Sequence, residues 1–287
     1  MKILVIGRST YELNVPIKNT LVEGTSINNS NYLGCGGGSA ANSAYLLGKW
    51  HQDVYLSTVL GNDDNAKKIL NEFRFVGVKT DYIESDYDNL TSNSIILTNL
   101  ENKVVTKIDL QRNDMKIKKT DYLDNFDIIL TDGYDDYGTS ILYNRYPNAK
   151  KVLYGDIVSK GIMNIINQSN VIIMSKEFAL KYSKVNVDFN DVKSIAGMYS
   201  KILPSLNGEL ILFLDGVGIV YQLDNQIKMF NFNNNLEYKH GYVDVFNGAL
   251  VYGFANDISL EENIKNAMKY AEASCKTLGA RISIPEK

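Results

Sequence analysis

Three short segments carry residue types that could act on a hydroxylated or phosphorylated ligand. The first is Gly36-Gly-Gly-Ser-Ala-Ala-Asn42, which runs straight into helical spacing. Glycines let a backbone approach a ligand without a Cβ clash, and a helix start offers free N–H donors. Asn42, in the first turns, could aim an amide at a hydroxylated ligand, although a tight turn made for packing alone fits the same residues. The second segment is Gly241-Tyr-Val-Asp-Val-Phe-Asn-Gly-Ala-Leu250, a loop entering an apolar helix with Asp244 at or near its N-terminus. A carboxylate there is either a plain N-cap or a group that takes a proton from a substrate hydroxyl while nearby amides hold phosphate oxygens. The third candidate is Glu12, shortly after Gly7 closes the first apolar run. Ligands of open α/β sheets bind outside the carboxyl ends of the strands, where an acid can accept bonds from hydroxyls; an isolated loop acid is otherwise simply solvated. Neither G-x-x-x-x-G-K-[ST] nor G-x-G-x-x-G occurs, so the P-loop and dinucleotide fingerprints are missing.

These residues need a scaffold, and the hydrophobic pattern supplies one. Short apolar runs at Lys2–Ile6, Val54–Val59, Asp127–Leu130, Lys151–Tyr154, Asn170–Met174 and Leu210–Leu214 read as buried strands. Helical spacing lies between most of them, as in Ala40–Lys49 and in Ala66–Phe75, where Ile69, Leu70 and Phe73 share a face. Strands alternating with helices predict an α/β fold whose largely parallel sheet is covered on both faces. Residues 13–36 and 91–110 break the alternation; they are polar and β-prone, with Asn99-Leu-Glu-Asn102 as a hairpin turn, and read as a small β lid. The Asn-rich stretch Asn231–Asn235 reads as a loop. Near the end, Ser259-Leu-Glu-Glu262 has a capping-box pattern. Leu260, Ile264, Ala267, Met268, Ala271, Cys275 and Leu278 then follow as one buried stripe, with Gly279 as the helix stop.

Size and composition narrow the classes. The 287 residues sit near the ~250–300 at which one hydrophobic core stops growing, so one large domain with a lid is expected. A net charge of −3 with interspersed signs gives no nucleic-acid footprint. No run of ~20 apolar residues appears, and the opening Met1–Gly7 lacks the features of an export signal, so a cytoplasmic location with Cys35 and Cys275 as free thiols is expected. Two histidines and two cysteines leave little from which to build a zinc site.

Taken in order, the pieces resemble the ribokinase (PfkB) carbohydrate-kinase family over almost the whole chain. Gly37-Gly-Ser-Ala-Ala-Asn42 resembles the family's Gly-Gly-x-x-Ala-Asn signature. Gly61-Asn-Asp63 with Gly77-Val-Lys-Thr resembles its Gly-x-Asp and Gly-Val stretch. Asp244-Val-Phe-Asn-Gly248 resembles the segment that starts at the catalytic Asp of Gly-Ala-Gly-Asp, and Thr277–Pro285 is similar to the closing helix and tail. The resemblance implies a ribokinase-like fold, ATP and Mg2+ as cofactors, a small-molecule sugar as partner, Asp244 as general base, and a sugar seated among Glu12, Gly37, Gly38 and Asn42. It implies nucleotide contacts at Ser175, Gly216, Gly218, Gly241 and Tyr242, and a lid that can pair two subunits into a homodimer. Ser175-Lys-Glu and Gly279-Ala-Arg tilt the comparison towards a ketohexokinase-like branch and a ketose or sugar-phosphate substrate. Arg112, just past the second lid segment, could contact an anionic substrate.

Departures from the family pattern fall on the nucleotide side. The usual Asp-Thr-x-Gly-Ala-Gly-Asp becomes Tyr238-Lys-His-Gly-Tyr-Val-Asp244, placing β-branched Val243 where the anion hole has a glycine. Phe213-Leu-Asp-Gly-Val-Gly218 sets Asp215 where the phosphate-facing loop has its first glycine, and Glu12 stands where Asp is usual. Two readings follow: an active sugar kinase with an atypical phosphate site, or a non-catalytic relative that binds a sugar or nucleoside as a sensor or partner protein. Retention of Asp244 favours the first, and loss of the glycine pair the second.

Overall fold

The computed structural model describes residues 1–18, 22–24, 26, 28–101, 105–111 (backbone only at 111), 116–233 and 236–287; Arg112 lies outside the described residues, as do parts of the hairpin turn after Glu101 and of the Asn231–Asn235 stretch. The chain runs β1 (Lys2–Ile6), β2 (Thr10–Ile17), β3 (Leu33–Gly37), α1 (Ser39–Lys49), β4 (Asp53–Gly61), α2 (Asp64–Phe75), β5 (Ile83–Asp86), β6 (Asn93–Asn99), β7 (Val105–Gln111) and β8 (Ile128–Thr131). It continues α3 (Asp136–Arg145), β9 (Lys150–Gly155), α4 (Ile162–Gln168), β10 (Val171–Ser175), α5 (Lys176–Ser183), α6 (Val192–Ile202), β11 (Glu209–Leu214), β12 (Gly218–Leu223), β13 (Gln226–Asn231), α7 (Tyr242–Ala255) and α8 (Leu260–Ser274).

The main sheet has nine strands in the order β13-β12-β11-β10-β9-β8-β1-β4-β5. Seven are parallel, and the hairpin β12–β13 joins antiparallel at one edge. Strict alternation along the central strands divides the core in two. Ile3 and Val5 of β1 pack with α1, α7 and α8, whereas Leu4 and Ile6 pack with α3 to α6. Burial on both faces explains why these strands are continuous apolar runs.

The polar segments form a second sheet, β3-β2-β6-β7, in which β2 pairs antiparallel to β3 and parallel to β6. It is wider than the sequence suggests, since β2 begins at Thr10. At the other end of the chain Ser259 is the N-cap of α8, but its hydroxyl makes no capping bond, so the expected capping box is not formed. That helix ends at Ser274, before Leu278, and the left-handed Gly279 (φ +94°) lies in the turn beyond it. Both cysteines are free and buried. No described helix is long and apolar enough to cross a membrane.

The strand order reverses about β1, which is flanked by β4 on one side and β8 on the other. Such a switch point opens a crevice beyond the carboxyl ends of the strands. The Gly36–Asn42 and Gly241–Asp244 segments meet beside it.

Candidate functional site

Asp244 sits at the third position of α7, not at its cap. Gly241 caps the helix in a left-handed conformation (φ +84°), where any Cβ would also come within 2.7 Å of Ala280 Cβ. Of the two readings, the plain capping carboxylate is therefore excluded; the side chain turns away from its own helix and towards α1. Ser39 Oγ donates to Asp244 Oδ1 at 2.6 Å, and Asn42 Nδ2 donates to Oδ2 at 2.8 Å. Ser43 Oγ bonds the Asp244 carbonyl at 2.9 Å. The two helices come this close because Gly248 of α7 lies against the backbone of Ser43. Asp244 is 6% exposed. Burial pushes its carboxyl up to about 6, against the hydrogen bonds from Ser39 and Asn42 and the nearby charge of His240, which favour the ionised form. A carboxyl poised near neutrality can accept and release a proton under working conditions.

The glycine run leaves room for side chains arriving from elsewhere. A Cβ on Gly37 would meet the Glu12 carboxyl carbon at 2.1 Å, and one on Gly38 (φ +93°) the Arg8 carbonyl at 2.5 Å. Glu12, on β2, is 1% exposed, so the alternative of a solvated loop acid is excluded. Its carboxylate accepts from Thr10 Oγ1 at 3.1 Å and from His240 Nε2 at 2.7 Å, with Lys107 Nζ at 3.6 Å. Burial works to raise this carboxyl, but His240, Lys107 and Thr10 together hold it down at about 2. His240 is moved the other way. Burial would lower it, yet the charges of Glu12 and Asp244 raise it above its usual range. Asn42 is equally enclosed, and its amide lies on Asp244.

Beside Ser39 opens a cavity of about 390 Å³ in the crevice beyond β1 and β8, lined among others by Arg8, Gly38, Ser39, Lys107, Asp132 and Tyr154. Asp132, just past β8, accepts from the Arg8 amide (2.9 Å) and the Tyr134 amide (3.0 Å), while burial raises its carboxyl. The site also contains Ser39, Lys107, Asp132 and His240, which are not candidates on residue type and spacing alone. A signal existed only for Ser39, within the glycine motif; the others belong to the site through contacts between distant segments. A larger groove of about 1060 Å³ lies along β5, between Tyr82, Tyr122 and Lys118, and holds none of the candidate residues.

The expected nucleotide side lies at the other end of Gly241–Asp244. Tyr242 is buried against Phe213 and Phe232, and its hydroxyl donates to the Asp215 carboxylate in a short hydrogen bond. The Gly216 amide donates to the same hydroxyl at 3.4 Å. Burial, then the Asp215 charge, raise the phenol far above its usual range. Gly216 is left-handed (φ +69°) with open space around it, whereas Gly218 lies in β12, where a Cβ would strike the Phe230 carbonyl at 2.2 Å. Ser175 caps α5 by accepting from the Phe178 amide at 3.1 Å. Among the described residues, no group of three or more His, Cys, Asp or Glu could hold a metal ion.

Comparison with known proteins places this geometry in context. Ribokinase from Arabidopsis thaliana, solved with ribose and ATP, superposes with a TM-score of 0.81 at 17% identity over 99% of this chain and 96% of that one. Ribokinase from Cryptococcus neoformans in complex with ADP gives 0.80 at 17%, with the same coverage. The Methanocaldococcus jannaschii nucleoside kinase gives 0.75 at 14%, covering 99% and 94%. At these identities the likeness carries the ribokinase-like fold. A family model described as pfkB family carbohydrate kinase matches residues 1–222, the stretch holding the main sheet's parallel strands, the second sheet and the glycine motif. By that match, the chain belongs to the pfkB family of carbohydrate kinases.

Proposed function

We propose that this chain is a carbohydrate kinase that transfers the γ-phosphoryl group of Mg·ATP to a hydroxyl of a sugar or sugar-phosphate, with Asp244 as general base. The observation that carries this reading is the seat of Asp244: a buried carboxyl near 6, oriented by Ser39 and Asn42, with Ser39 lining the cavity at the sheet's switch point. In the reaction, the substrate hydroxyl gives its proton to Asp244 as its oxygen forms a bond to the γ-phosphorus, and the bond to the ADP oxygen breaks. Glu12, Gly37, Gly38 and Asn42 form the sugar side, with Glu12 now masked by His240. Ser175, Gly216, Gly218, Gly241 and Tyr242 form the nucleotide side. The Mg2+ enters with the nucleotide as part of that substrate; an Escherichia coli protein of the same fold (TM-score 0.79, 13% identity) was solved with ATP and Mg2+. The exposed Ile108 and Leu110 on the edge strand β7 support pairing of two subunits through the second sheet.

A second reading, a sugar- or nucleoside-binding protein without phosphoryl transfer, is favoured by one set of contacts. Tyr242 reaches into the Phe213–Gly218 loop and joins Asp215, putting a phenol and a carboxylate where the family's loop meets phosphate. The amides of Tyr242 and Asp244 point at the carbonyls of Lys239 (3.4 Å) and Gly241 (3.0 Å) instead of outward. Calorimetric titration with Mg·ATP, alone and with pooled sugars, followed by ADP-release assays, separates the two. Nucleotide binding and sugar-dependent ADP release, both with turnover lost in Asp244→Asn, support the kinase. Sugar binding with no heat from Mg·ATP supports the second reading, and unchanged turnover in Asp244→Asn would sink the assignment of the base.

A further inference from the structure

Among the described residues, the largest fully buried side chain is charged. Arg281, in the turn after α8, is 2% exposed, and its guanidinium lies over the ring of Phe73 at 4.4 Å. Burying such a cation is costly unless its donors are used, so its partners indicate its role. Arg281 Nη1 donates to Glu72 Oε2 at 2.5 Å, and Nε donates to Asn42 Oδ1 at 3.4 Å. Glu72 in turn accepts the amide of Gly36 at 3.0 Å. A Cβ on Gly36 would meet the guanidinium at 2.0 Å, so any larger residue there would have to displace the arginine head.

The long Nε contact has a consequence for the site. The two ends of an asparagine amide are nearly the same shape, and only its partners decide which is which. Arginine has donors and no acceptor, so it can face only the oxygen end of Asn42. With Oδ1 held there, Nδ2 must face Asp244, and the amide donates to Oδ2. The reversed amide would set an oxygen against the carboxylate. The geometry points to Arg281 as a positioning residue for Asp244: through Asn42 it fixes the donor that holds the carboxylate, and through Glu72 it ties that donor to the glycine loop. The inference rests on the proposed role of Asp244 for its link to catalysis, but the contact itself can be tested without turnover.

The test is a ¹³C-carboxyl NMR titration of Asp244, with Asp244→Asn to assign the resonance, in wild type, Arg281→Met, Asn42→Ala and the double variant. Besides Asn42, the groups facing this carboxyl are Ser39 of α1, His240 of the loop before α7, Glu12 of β2 and Tyr154 of β9, none of which is altered. Arg281→Met releases the amide, and the midpoint of Asp244 rises by roughly 0.5 or more from about 6, because the ionised form loses a donor. In the Asn42→Ala background the same substitution moves the midpoint by less than half as much. Equal shifts in both backgrounds would mean that Arg281 acts only as a distant charge and overturn the proposal, as would no shift in either. Should Arg281→Met fail to fold, Arg281→Lys takes its place with the same criteria, since one ammonium cannot serve Glu72 and Asn42 together. Loss of turnover in Arg281→Met with an unmoved Asp244 midpoint also counts against the proposal. A wild-type protein with no kinase turnover would count against the base instead and leave the titration to decide the contact.

Discussion

Replacing His240 with glutamine removes the leading charge partner of Glu12, and the structure sets the size of the effect. The Glu12 carboxyl falls from 4.5 to about 2 although it is buried. At 1.36 kcal/mol per pKa unit, that corresponds to about 3 kcal/mol of folding stability. The direction with pH follows from both partners. A lowered carboxyl contributes fully above its unfolded value of 4.5 and loses the contribution as pH falls towards 2. A raised imidazole contributes fully below its unfolded value of 6.5 and loses the contribution as pH climbs through its folded value. The pair is therefore strongest between 4.5 and 6.5. Glutamine keeps a donor but no charge, so burial of Glu12 then dominates. Urea unfolding of wild type and His240→Gln across pH 3 to 9 measures the difference. The variant is expected to lose about 2–3 kcal/mol near pH 5.5, or about 1 M in the unfolding midpoint at a slope of about 3 kcal/mol/M, with the loss shrinking at both ends of the range. A loss that is the same at every pH, or none at pH 5.5, would refute the assignment of the pair.

Three further outcomes follow from the geometry. Turnover should rise tenfold per pH unit up to about 6 and then level, as Asp244 gives up its proton; a flat profile from pH 5 to 8 removes it as the base. Asp215→Gly removes a carboxylate from the expected phosphate loop and frees the Tyr242 hydroxyl, so calorimetry should find Mg·ATP bound about tenfold more tightly, about 1.4 kcal/mol; weaker binding would mean that Asp215 contributes to the nucleotide site. Gly37→Ala drives a methyl group into the Glu12 carboxyl at 2.1 Å and should cost about 2–3 kcal/mol, seen as a Tm lower by about 5 °C or more; an unchanged Tm would show that β2 and β3 can separate without cost.

The layered α/β architecture was legible because buried parallel strands are apolar runs and their helices keep a 3.6-residue period. The two glycine-bearing segments stood out for a similar reason: Gly38 and Gly241 adopt left-handed conformations that leave a mark on composition. What escaped was mutual placement. Glu12 read as an acid with unknown surroundings because nothing near it in sequence announces that His240, 228 positions away, will bond it. Asp244 read equally well as an N-cap because Ser39, 205 positions earlier, supplies the reason for its other orientation. Arg281 read as part of a family-like tail, with no local hint that Phe73 and Glu72 would enclose it. The β2–β6 pairing was invisible for the same cause: a parallel partner 82 residues on leaves no hairpin turn between the strands. Ser259 misled in the opposite sense, since a capping pattern states only what a hydroxyl can do.

The fastening of the far end of the chain onto α1 has a consequence for biosynthesis. Trp50 Nε1 donates to the Pro285 carbonyl at 3.0 Å, Lys49 Nζ to that of Ile284 at 2.7 Å, and Arg281 holds Asn42. As the protein is made, the seven parallel strands and most of their covering helices are translated before Asp244 and Arg281. A nascent or C-terminally clipped molecule can thus own most of the scaffold and yet lack the partners that Asn42 has in Asp244 and Arg281. Proteolytic removal of residues 281–287 would take away these three fastenings while leaving every described strand of both sheets in place.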